Sequence, residues 1–190
     1  HAGFLVYEAG TTSALRSYSM LQQLHSRYCL TNAVEIRYAD ATGAWLDTSR
    51  AVASGVYRRS QIVTRYADGT VTAANGSRTE RMKVDAFGRS IDLPPNGYAG
   101  WTADGAIEVT SSERDGHRCD YAATPLYLYV DGRGAFVRFD KAAGNEIGIC
   151  RVLPEGQHEV ILHGDAECGF AVNAASAVAL DKEGKELGPA

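Results

Sequence analysis

The sequence predicts a mainly β protein, an antiparallel β-sandwich of short hairpin-connected strands with one strand and one helix at its N-terminus. From Val34 onward, apolar and polar residues alternate in short runs, and this period of two is typical of strands with one buried face. Tight-turn dipeptides separate the runs, because Asp-Gly tolerates the positive φ angles of hairpin turns. These dipeptides are Asp68-Gly69, Asp104-Gly105, Asp115-Gly116 and Asp131-Gly132.

Length and composition indicate a folded globular protein. The 190 residues, 45% of them hydrophobic and 22% charged, are enough to bury a sizeable core, which argues against disorder. The net charge is −4 and the Lys and Arg residues are scattered, so nucleic acid is a poor candidate partner. No apolar run approaches the ~20 residues that a membrane span needs. We therefore predict no nucleic-acid partner, no membrane partner and no cofactor.

The N-terminal part of the chain differs from the rest. Residues 3–8 (GFLVYE) are predicted as a buried strand, and residues 11–13 offer an N-cap for an amphipathic helix that ends at about Tyr28. We predict residues 1–32 as this N-terminal unit and residues 33–190 as the β-sandwich domain. Apolar residues three and four apart form the predicted buried stripe of the helix: Leu15, Tyr18, Leu21, Leu24 and Tyr28.

All other predicted elements are strands. Pro94-Pro95 ends one of them, because proline cannot donate to a strand ladder. No fixed period relates the hairpins, which argues against a propeller or a solenoid. The predicted strands are 34–38, 60–66, 70–74, 79–85, 89–93, 98–103, 106–110, 117–121, 127–130, 135–139, 146–153, 158–163, 168–172 and 176–181.

The stretch Arg65–Trp101 carries a resemblance to a known class of domain. The turn at residues 68–70 (DGT), a strand ending in Asn75 and the run at 93–98 (LPPNGY) follow one another in it. This order resembles the antiparallel β-sandwich domains that follow the (β/α)8 barrel in many large microbial glycoside hydrolases. The opening strand and helix resemble the last strand and helix of such a barrel, and residues 113–134 look like a further part of the same region.

The resemblance implies a non-catalytic accessory domain whose partner is a (β/α)8-barrel catalytic domain. In such enzymes the catalytic acids lie at the ends of barrel strands, most of which have no counterpart in this sequence. The domain would stabilise or orient the barrel, contact poly- or oligosaccharide, and expose an apolar patch around its N-terminal helix. Two alternatives stay open: an autonomous carbohydrate-binding module, and an enzyme.

Two N-terminal residues carry the enzyme alternative. A mature N-terminal His1 supplies an amine and an imidazole to copper, as in lytic polysaccharide monooxygenases, and would need a second histidine such as His117, His158 or His163. Glu8 would lie at the C-terminal end of a strand, where barrel enzymes keep carboxylates, yet glycoside hydrolysis needs a second carboxylate ~5–9.5 Å away. We favour a tag or fragment boundary for His1, and a strand-end or helix-capping role for Glu8.

A cluster of titratable residues surrounds His117. Glu113, Asp115 and Asp120 lie beside it in the sequence and suggest a small acid/base or metal cluster. Because Asp115 is needed for a turn, we favour ordinary surface carboxylates and predict no metal site.

The four cysteines match no zinc or redox spacing. Cys150 and Cys168 fall in neighbouring predicted strands, so a disulfide between them stays open. We favour four reduced and mostly buried thiols.

Aromatic residues are the better candidates for binding, because sugar rings stack on exposed Tyr or Trp faces. The candidate carbohydrate-binding residues are Trp45, Trp101, Tyr127 and Tyr129. Tyr127 and Tyr129 share one face of their predicted strand. We rank packing in the core or between domains ahead of sugar binding for these residues, since aromatics in alternating strands more often pack inside.

Two local motifs have a structural explanation. Residues 75–77 (Asn-Gly-Ser) match an N-glycosylation acceptor, but they also supply a turn. Residues 131–134 (Asp-Gly-Arg-Gly) lie between two predicted strands with no helix after them. We therefore predict a hairpin loop there and no phosphate site.

Overall fold

The fold is mainly β, as the sequence predicts, with 45% strand and 18% helix. The computed structural model describes residues 10–181, 183 and 185–189, so the predicted strand at 3–8 lies outside the described residues. The elements in chain order are α1 (Gly10–Tyr28), β1 (Ala33–Ala39), β2 (Trp45–Asp47), α2 (Thr48–Ser54), β3 (Gln61–Tyr66), β4 (Val71–Asn75), β5 (Met82–Ala86), β6 (Arg89–Leu93), β7 (Tyr98–Trp101), β8 (Glu108–Arg114), β9 (His117–Ala123), β10 (Tyr127–Asp131), β11 (Val137–Arg138), β12 (Ala142–Gly144), β13 (Gly148–Val152), β14 (His158–Leu162), β15 (Cys168–Phe170), β16 (Val178–Leu180) and β17 (Glu186–Pro189).

Ten strands of the described part of the chain form one large antiparallel sheet, in the order β14-β13-β10-β9-β8-β7-β4-β3-β1-β2. The order β11-β12-β15 makes a separate three-stranded sheet, while β5–β6 and β16–β17 are two-stranded hairpins. Neighbouring strands are consecutive in the chain through most of the large sheet, as expected for hairpin connections. The sheets remain open, and the smaller layers pack on the large one in a sandwich-like arrangement.

Helix α1 covers one face of the large sheet. Met20 and Leu24 are 0% and 3% exposed and belong to a core cluster with Val109, Ala122 and Tyr129. Burying a side chain of this size stabilises the fold by about 1.5–3 kcal/mol. Residues 11–13, the predicted N-cap, lie inside the helix, which begins at Gly10.

The predicted helix stripe is correct for Leu24 and wrong for Tyr18. Leu15, Leu21 and Tyr28 pack at the border of the same core, but Tyr18 is 57% exposed. Met20 is not part of the predicted stripe, yet at 0% exposure it is more buried than Leu24. The spacing of apolar residues predicts the helix, whereas the curvature and direction of the sheet decide which side of the helix is in contact.

Two smaller layers cover the opposite face. In β7, Gly100 lies against Leu24 of α1, so its neighbours Ala99 and Trp101 point away from the helix. The hairpin β5–β6 packs on that side through Val84 and Leu93. Further along the same face, the three-stranded sheet packs on β9 and β10. The residues of this third cluster include Cys119, Tyr121, Val130, Val137 and Ala142.

Several predicted hairpins are confirmed. Val63 pairs with Ala73 across the turn of β3 and β4, and Val84 pairs with Ile91 across the turn of β5 and β6. At Asp68-Gly69 the aspartate accepts a hydrogen bond from the Thr70 backbone N–H at 2.9 Å, which fixes the turn.

The predicted hairpin across residues 131–134 is wrong. Strand β10 pairs with β9 and β13, while β11 pairs with β12 in the other sheet. Asp131 Oδ1 accepts a hydrogen bond from the Arg133 N–H at 2.8 Å, and Arg133 has a φ of 50°. An added Cβ at Gly132 would collide with the carbonyl oxygens of Ala135 and Gly144. This tight turn therefore redirects the chain from one layer to the other.

The short elements between residues 45 and 54 are not predicted by the sequence pattern. Strand β2 has three residues and helix α2 has seven, too few for a recognisable period. Asp47 Oδ1 caps α2 by accepting from the Arg50 N–H at 2.8 Å, and Gly55 ends the helix with a φ of 78°. No helix in the described part of the chain is long and apolar enough to cross a membrane.

Candidate functional site

The candidate site lies beneath α1, at the middle of β9 and the C-terminal end of β10. Asp120 of β9 and Asp131 of β10 are directly opposite each other in the strand register. Both residues are 0% exposed and point to the helix side of the sheet, since Asp120 alternates with Tyr121 of the opposite core. Two like charges opposite each other destabilise a sheet, so this pair requires positive partners.

Two arginines supply that charge from different directions. Arg16 of α1 donates from Nε to Asp131 Oδ2 at 2.7 Å, and its Nη2 lies 2.6 Å from the same oxygen. Its Nε also lies 3.4 Å from Asp120 Oδ2. Arg133 donates to Asp120 Oδ2 from Nε at 2.9 Å and from Nη2 at 2.6 Å. We call these four residues the ionic anchor; its formal charges sum to zero.

Burial and the anchor charges shift the neighbouring titratable groups. Burial lowers the pKa of Arg16, but the hydrogen bond and charge of Asp131 outweigh it, and the resulting pKa is raised. Burial, reinforced by the anchor carboxylates, raises the pKa values of Tyr129 and Tyr98. Both phenols therefore stay neutral at ordinary pH, and Tyr129 Oη donates to Asp131 Oδ2 at 3.5 Å.

The anchor holds the helix on the sheet by charge pairing. Each carboxylate has an arginine nitrogen within 2.6–2.9 Å, so the negative charge of each is compensated. Asp120 Oδ1 is the one buried carboxylate oxygen without a hydrogen-bond partner among the described residues. Two further contacts hold α1 on the sheet. Tyr127 Oη of β10 donates to the Ser19 carbonyl at 2.6 Å, and the ring of Tyr28 stacks on that of Tyr66 of β3 at 4.6 Å.

The four predicted carbohydrate-binding aromatics do not form a shared surface. Trp101 is 4% exposed in the core beneath the β5–β6 hairpin, where Trp45 packs at the border. Tyr127 and Tyr129 are 9% and 0% exposed, and both lie in the core beneath α1. They share one face of β10, as the alternation predicts, but that face is covered by the helix.

The residues around His117 are separated by the strands that carry them. Glu113 pairs with Arg81 at 2.8 Å, Asp115 occupies the β8–β9 turn with a φ of 51°, and Asp120 belongs to the ionic anchor. His117 itself is exposed at the start of β9. Within the described residues, no group of three His, Cys, Asp or Glu side chains comes close enough to hold a metal ion.

The other predicted residues have mixed outcomes. His1 and Glu8 lie outside the described residues, so their roles stay predictions. Cys150 and Cys168 are free thiols; Cys150 is buried in the large sheet, and Cys168 is on the three-stranded sheet. Burial raises the pKa values of both thiols.

Asn75 of the possible glycosylation motif is a buried structural residue. It is 1% exposed, and its amide nitrogen donates to the carbonyls of Glu80, Leu93 and Pro94 at 2.7–3.1 Å. Its amide oxygen accepts from Gln61 at 3.1 Å. In the folded chain, Asn75 therefore has no free nitrogen to present to a glycosylating enzyme.

A polar groove lies on the sheet face opposite α1, between β6 and β8. Its volume is ≈ 460 Å³, and its floor includes Trp101. Arg89 forms two hydrogen bonds to Glu108 at 3.3 Å, while Arg81 bridges Asp92 and Glu113. These side chains line the groove with paired donors and acceptors.

Sequence reasoning missed the anchor because each member had another local explanation. Arg16 is one of several polar residues on an amphipathic helix, and Asp131 belongs to a turn dipeptide. One signal was available: Asp120 shares a strand face with Ala122, inside an otherwise apolar run. A carboxylate at such a position needs a buried cation, although only the tertiary structure identifies which one.

The chain has no significant match among protein-family models, curated protein sequences or solved structures.

Proposed function

We propose that this chain is a non-catalytic accessory domain that stabilises and orients the (β/α)8-barrel catalytic domain of a carbohydrate-active enzyme. The observation that carries the proposal is the attachment of α1 to the large sheet. This helix resembles the last helix of such a barrel. It would therefore belong to both domains and join them rigidly.

Three kinds of contact support this role for α1. The apolar contacts of Met20 and Leu24 hold the middle of the helix on the sheet. The ion pair of Arg16 with Asp131 fixes its N-terminal half, and the Tyr28–Tyr66 stack fixes its C-terminal end. Sliding or rotating the helix would separate the fully buried Asp131 from Arg16, whose side chain is 26% exposed, at a cost of about 2–3 kcal/mol.

The test compares this chain with the longer protein that the proposal requires. The gene is sequenced upstream of codon 1, and the encoded protein is expressed whole and without residues 33–190. We expect an upstream barrel that loses thermal stability when residues 33–190 are removed. The isolated 190-residue chain should hydrolyse no oligosaccharide. An upstream sequence without a barrel, or a barrel of unchanged stability, would overturn the proposal.

The groove between β6 and β8 favours a second candidate, an autonomous carbohydrate-binding module. Paired arginine and carboxylate groups such as Arg89 and Glu108 can exchange hydrogen bonds with sugar hydroxyls, and Trp101 lies at the groove floor. Affinity electrophoresis through gels that contain single polysaccharides tests this candidate. Retardation that is abolished by Arg89→Met, but kept by Arg50→Met on α2, would support it. Unretarded migration in every gel would reject it.

A further inference from the structure

Strand β8 presents a polar stripe between the two layers that cover the sheet face opposite α1. The β5–β6 hairpin packs on β3, β4 and β7, and the three-stranded sheet packs on β9 and β10, so β8 lies between them in the sheet order. Alternation with Val109 of the helix-side core places every second residue of β8 on this face. These residues are polar, and all line the groove between β6 and β8: Glu108, Thr110, Ser112 and Arg114. The groove therefore follows the strand along its length.

Only side chains of β8 are free to recognise a ligand in this groove. The backbone of β8 pairs with β7 on one side and with β9 on the other, so it cannot take up a further strand. In the described part of the chain, three arginines and three carboxylates line the groove, and their formal charges sum to zero. Interspersed donors and acceptors of this kind match a ligand rich in hydroxyl groups, because a hydroxyl both donates and accepts.

Arg114, the last residue of β8, also lines a second cavity. The volume of this cavity is ≈ 460 Å³, within the range of roughly 300–1,000 Å³ that is usual for small-molecule sites. Its lining residues are Arg114, Asp115, Phe136, Val137 and Arg138. The groove and the cavity therefore meet at the side chain of Arg114.

The two arginines of the cavity are cations without a carboxylate partner. Arg114 Cζ lies 4.3 Å from the ring centroid of Phe139, and Arg138 Cζ lies 5.1 Å from that of Phe136. Neither guanidinium forms an ion pair within the described residues, whereas Arg89 of the groove does. A ring contact uses the face of a guanidinium and leaves the N–H donors in its plane free, and those donors match a carboxylate. We call Arg114 and Arg138 the arginine subsite.

We propose that the groove and the cavity together bind an acidic oligosaccharide, with the carboxylate of a uronic acid unit at the arginine subsite. This inference rests on the binding-module candidate and adds its ligand class; it is independent of the accessory role. Asp115 can accept hydrogen bonds from sugar hydroxyls, and the ring of Phe136, 45% exposed, offers an apolar surface to a sugar C–H face. The carboxylates of the groove repel a ligand that is charged at every unit. A single uronic acid among neutral sugars therefore fits better than a polyanion.

NMR titration of the isolated chain with matched methyl glycosides tests the arginine subsite. Methyl glucuronide and methyl glucoside differ only at C6, as do methyl galacturonide and methyl galactoside. We expect one uronide to bind at least tenfold more tightly than its neutral counterpart, because hydrogen bonds to a charged group are the stronger ones. Arg114→Met and Arg138→Met should each weaken the binding of that uronide at least tenfold and leave the neutral glycoside unaffected.

Arg58→Met is the matched control for both substitutions. Arg58 also lies over a ring, with its Cζ 5.7 Å from the centroid of Tyr57, and it forms no ion pair within the described residues. All three arginines are exposed, so each variant should keep the wild-type thermal midpoint. Arg58→Met should bind the uronide like the wild type.

Each other outcome has a defined meaning. Equal binding of uronide and neutral glycoside overturns the uronic acid assignment; if Arg89→Met still abolishes gel retardation, the binding module stands without it. Inorganic phosphate or acetate that binds as tightly as the uronide shows a general anion site and also overturns the ligand class. Uronide binding that survives both arginine substitutions places the ligand elsewhere and overturns the site. If no uronide binds and no polysaccharide gel retards the chain, the binding module fails as well.

Discussion

Replacing Arg16 with methionine tests whether the ionic anchor holds α1 on the sheet. Methionine keeps the helix propensity and the apolar stem of arginine but removes its guanidinium. Asp131, 0% exposed, would lose its ion pair and keep the Arg133 N–H at 2.8 Å and the Tyr129 hydroxyl at 3.5 Å. The main cost of the substitution should therefore be the buried negative charge of Asp131, which no longer has a positive partner.

The expected magnitude follows from burial. Removing one partner of a fully buried pair costs about 3–5 kcal/mol. The side chain of Arg16 is 26% exposed, and Asp131 keeps two hydrogen bonds, so we expect the Arg16→Met variant to lose about 2–3 kcal/mol. For a chain of this length, the thermal midpoint should fall by about 4–12 °C.

Urea unfolding followed by circular dichroism measures the effect on the isolated chain. Arg50→Met is the matched control, because Arg50 pairs with Asp47 at 3.6 Å and is 78% exposed. Exposed pairs contribute about 0–1 kcal/mol. A cycle with Arg16→Met, Asp131→Asn and the double variant should give a coupling energy of about 1–3 kcal/mol. If Arg16→Met loses no more stability than Arg50→Met, the anchor does not hold the helix.

Three further changes test the core, a buried amide and a buried phenol. Leu24→Ala should destabilise the chain by about 2–5 kcal/mol in urea unfolding, because it leaves a cavity between α1 and the sheet. Asn75→Ala should cost about 3 kcal/mol by the same measurement, since three backbone carbonyls lose their donor. Burial raises the pKa of Tyr127 to about 12, from an ordinary value near 10. The folded state thus favours the protonated phenol; this stability is full below pH ~10 and is lost as the pH rises toward 12. Between pH 9 and pH 11, the wild type should lose about 1 kcal/mol more than Tyr127→Phe.

Each of these predictions has a control of the same chemistry. Leu30→Ala, at a position that is fully exposed just after α1, should leave stability unchanged; an equal loss at Leu24 and Leu30 would contradict the packing of the helix. Asn173→Ala removes an exposed amide and should be neutral. For the phenol, identical losses between pH 9 and pH 11 in the wild type and Tyr127→Phe would show that Tyr127 titrates alike in both states.

The strands were accessible to sequence reasoning because their information is local. Alternation and turn dipeptides act over a few residues, so the β3–β4 and β5–β6 hairpins could be predicted with their turns. The turn at residues 131–134 shows the limit of such local information. The same Asp-Gly chemistry can close a hairpin or pass the chain to another layer. At Gly132 the chain lies against the carbonyl of Gly144, twelve residues further on, and no local pattern predicts that contact.

The amino-acid sequence by itself determined the mainly β class, the amphipathic helix and most of the strands, because periodicity and turn geometry are properties of neighbouring residues. Only the tertiary structure decided that Met20 rather than Tyr18 faces the core, that Trp101 and Tyr129 are enclosed, and that Arg16 meets Asp131 across 115 residues. Burial and charge pairing depend on which elements pack together. A local pattern does not contain that information, because the residues that meet in the packed structure are far apart in the sequence.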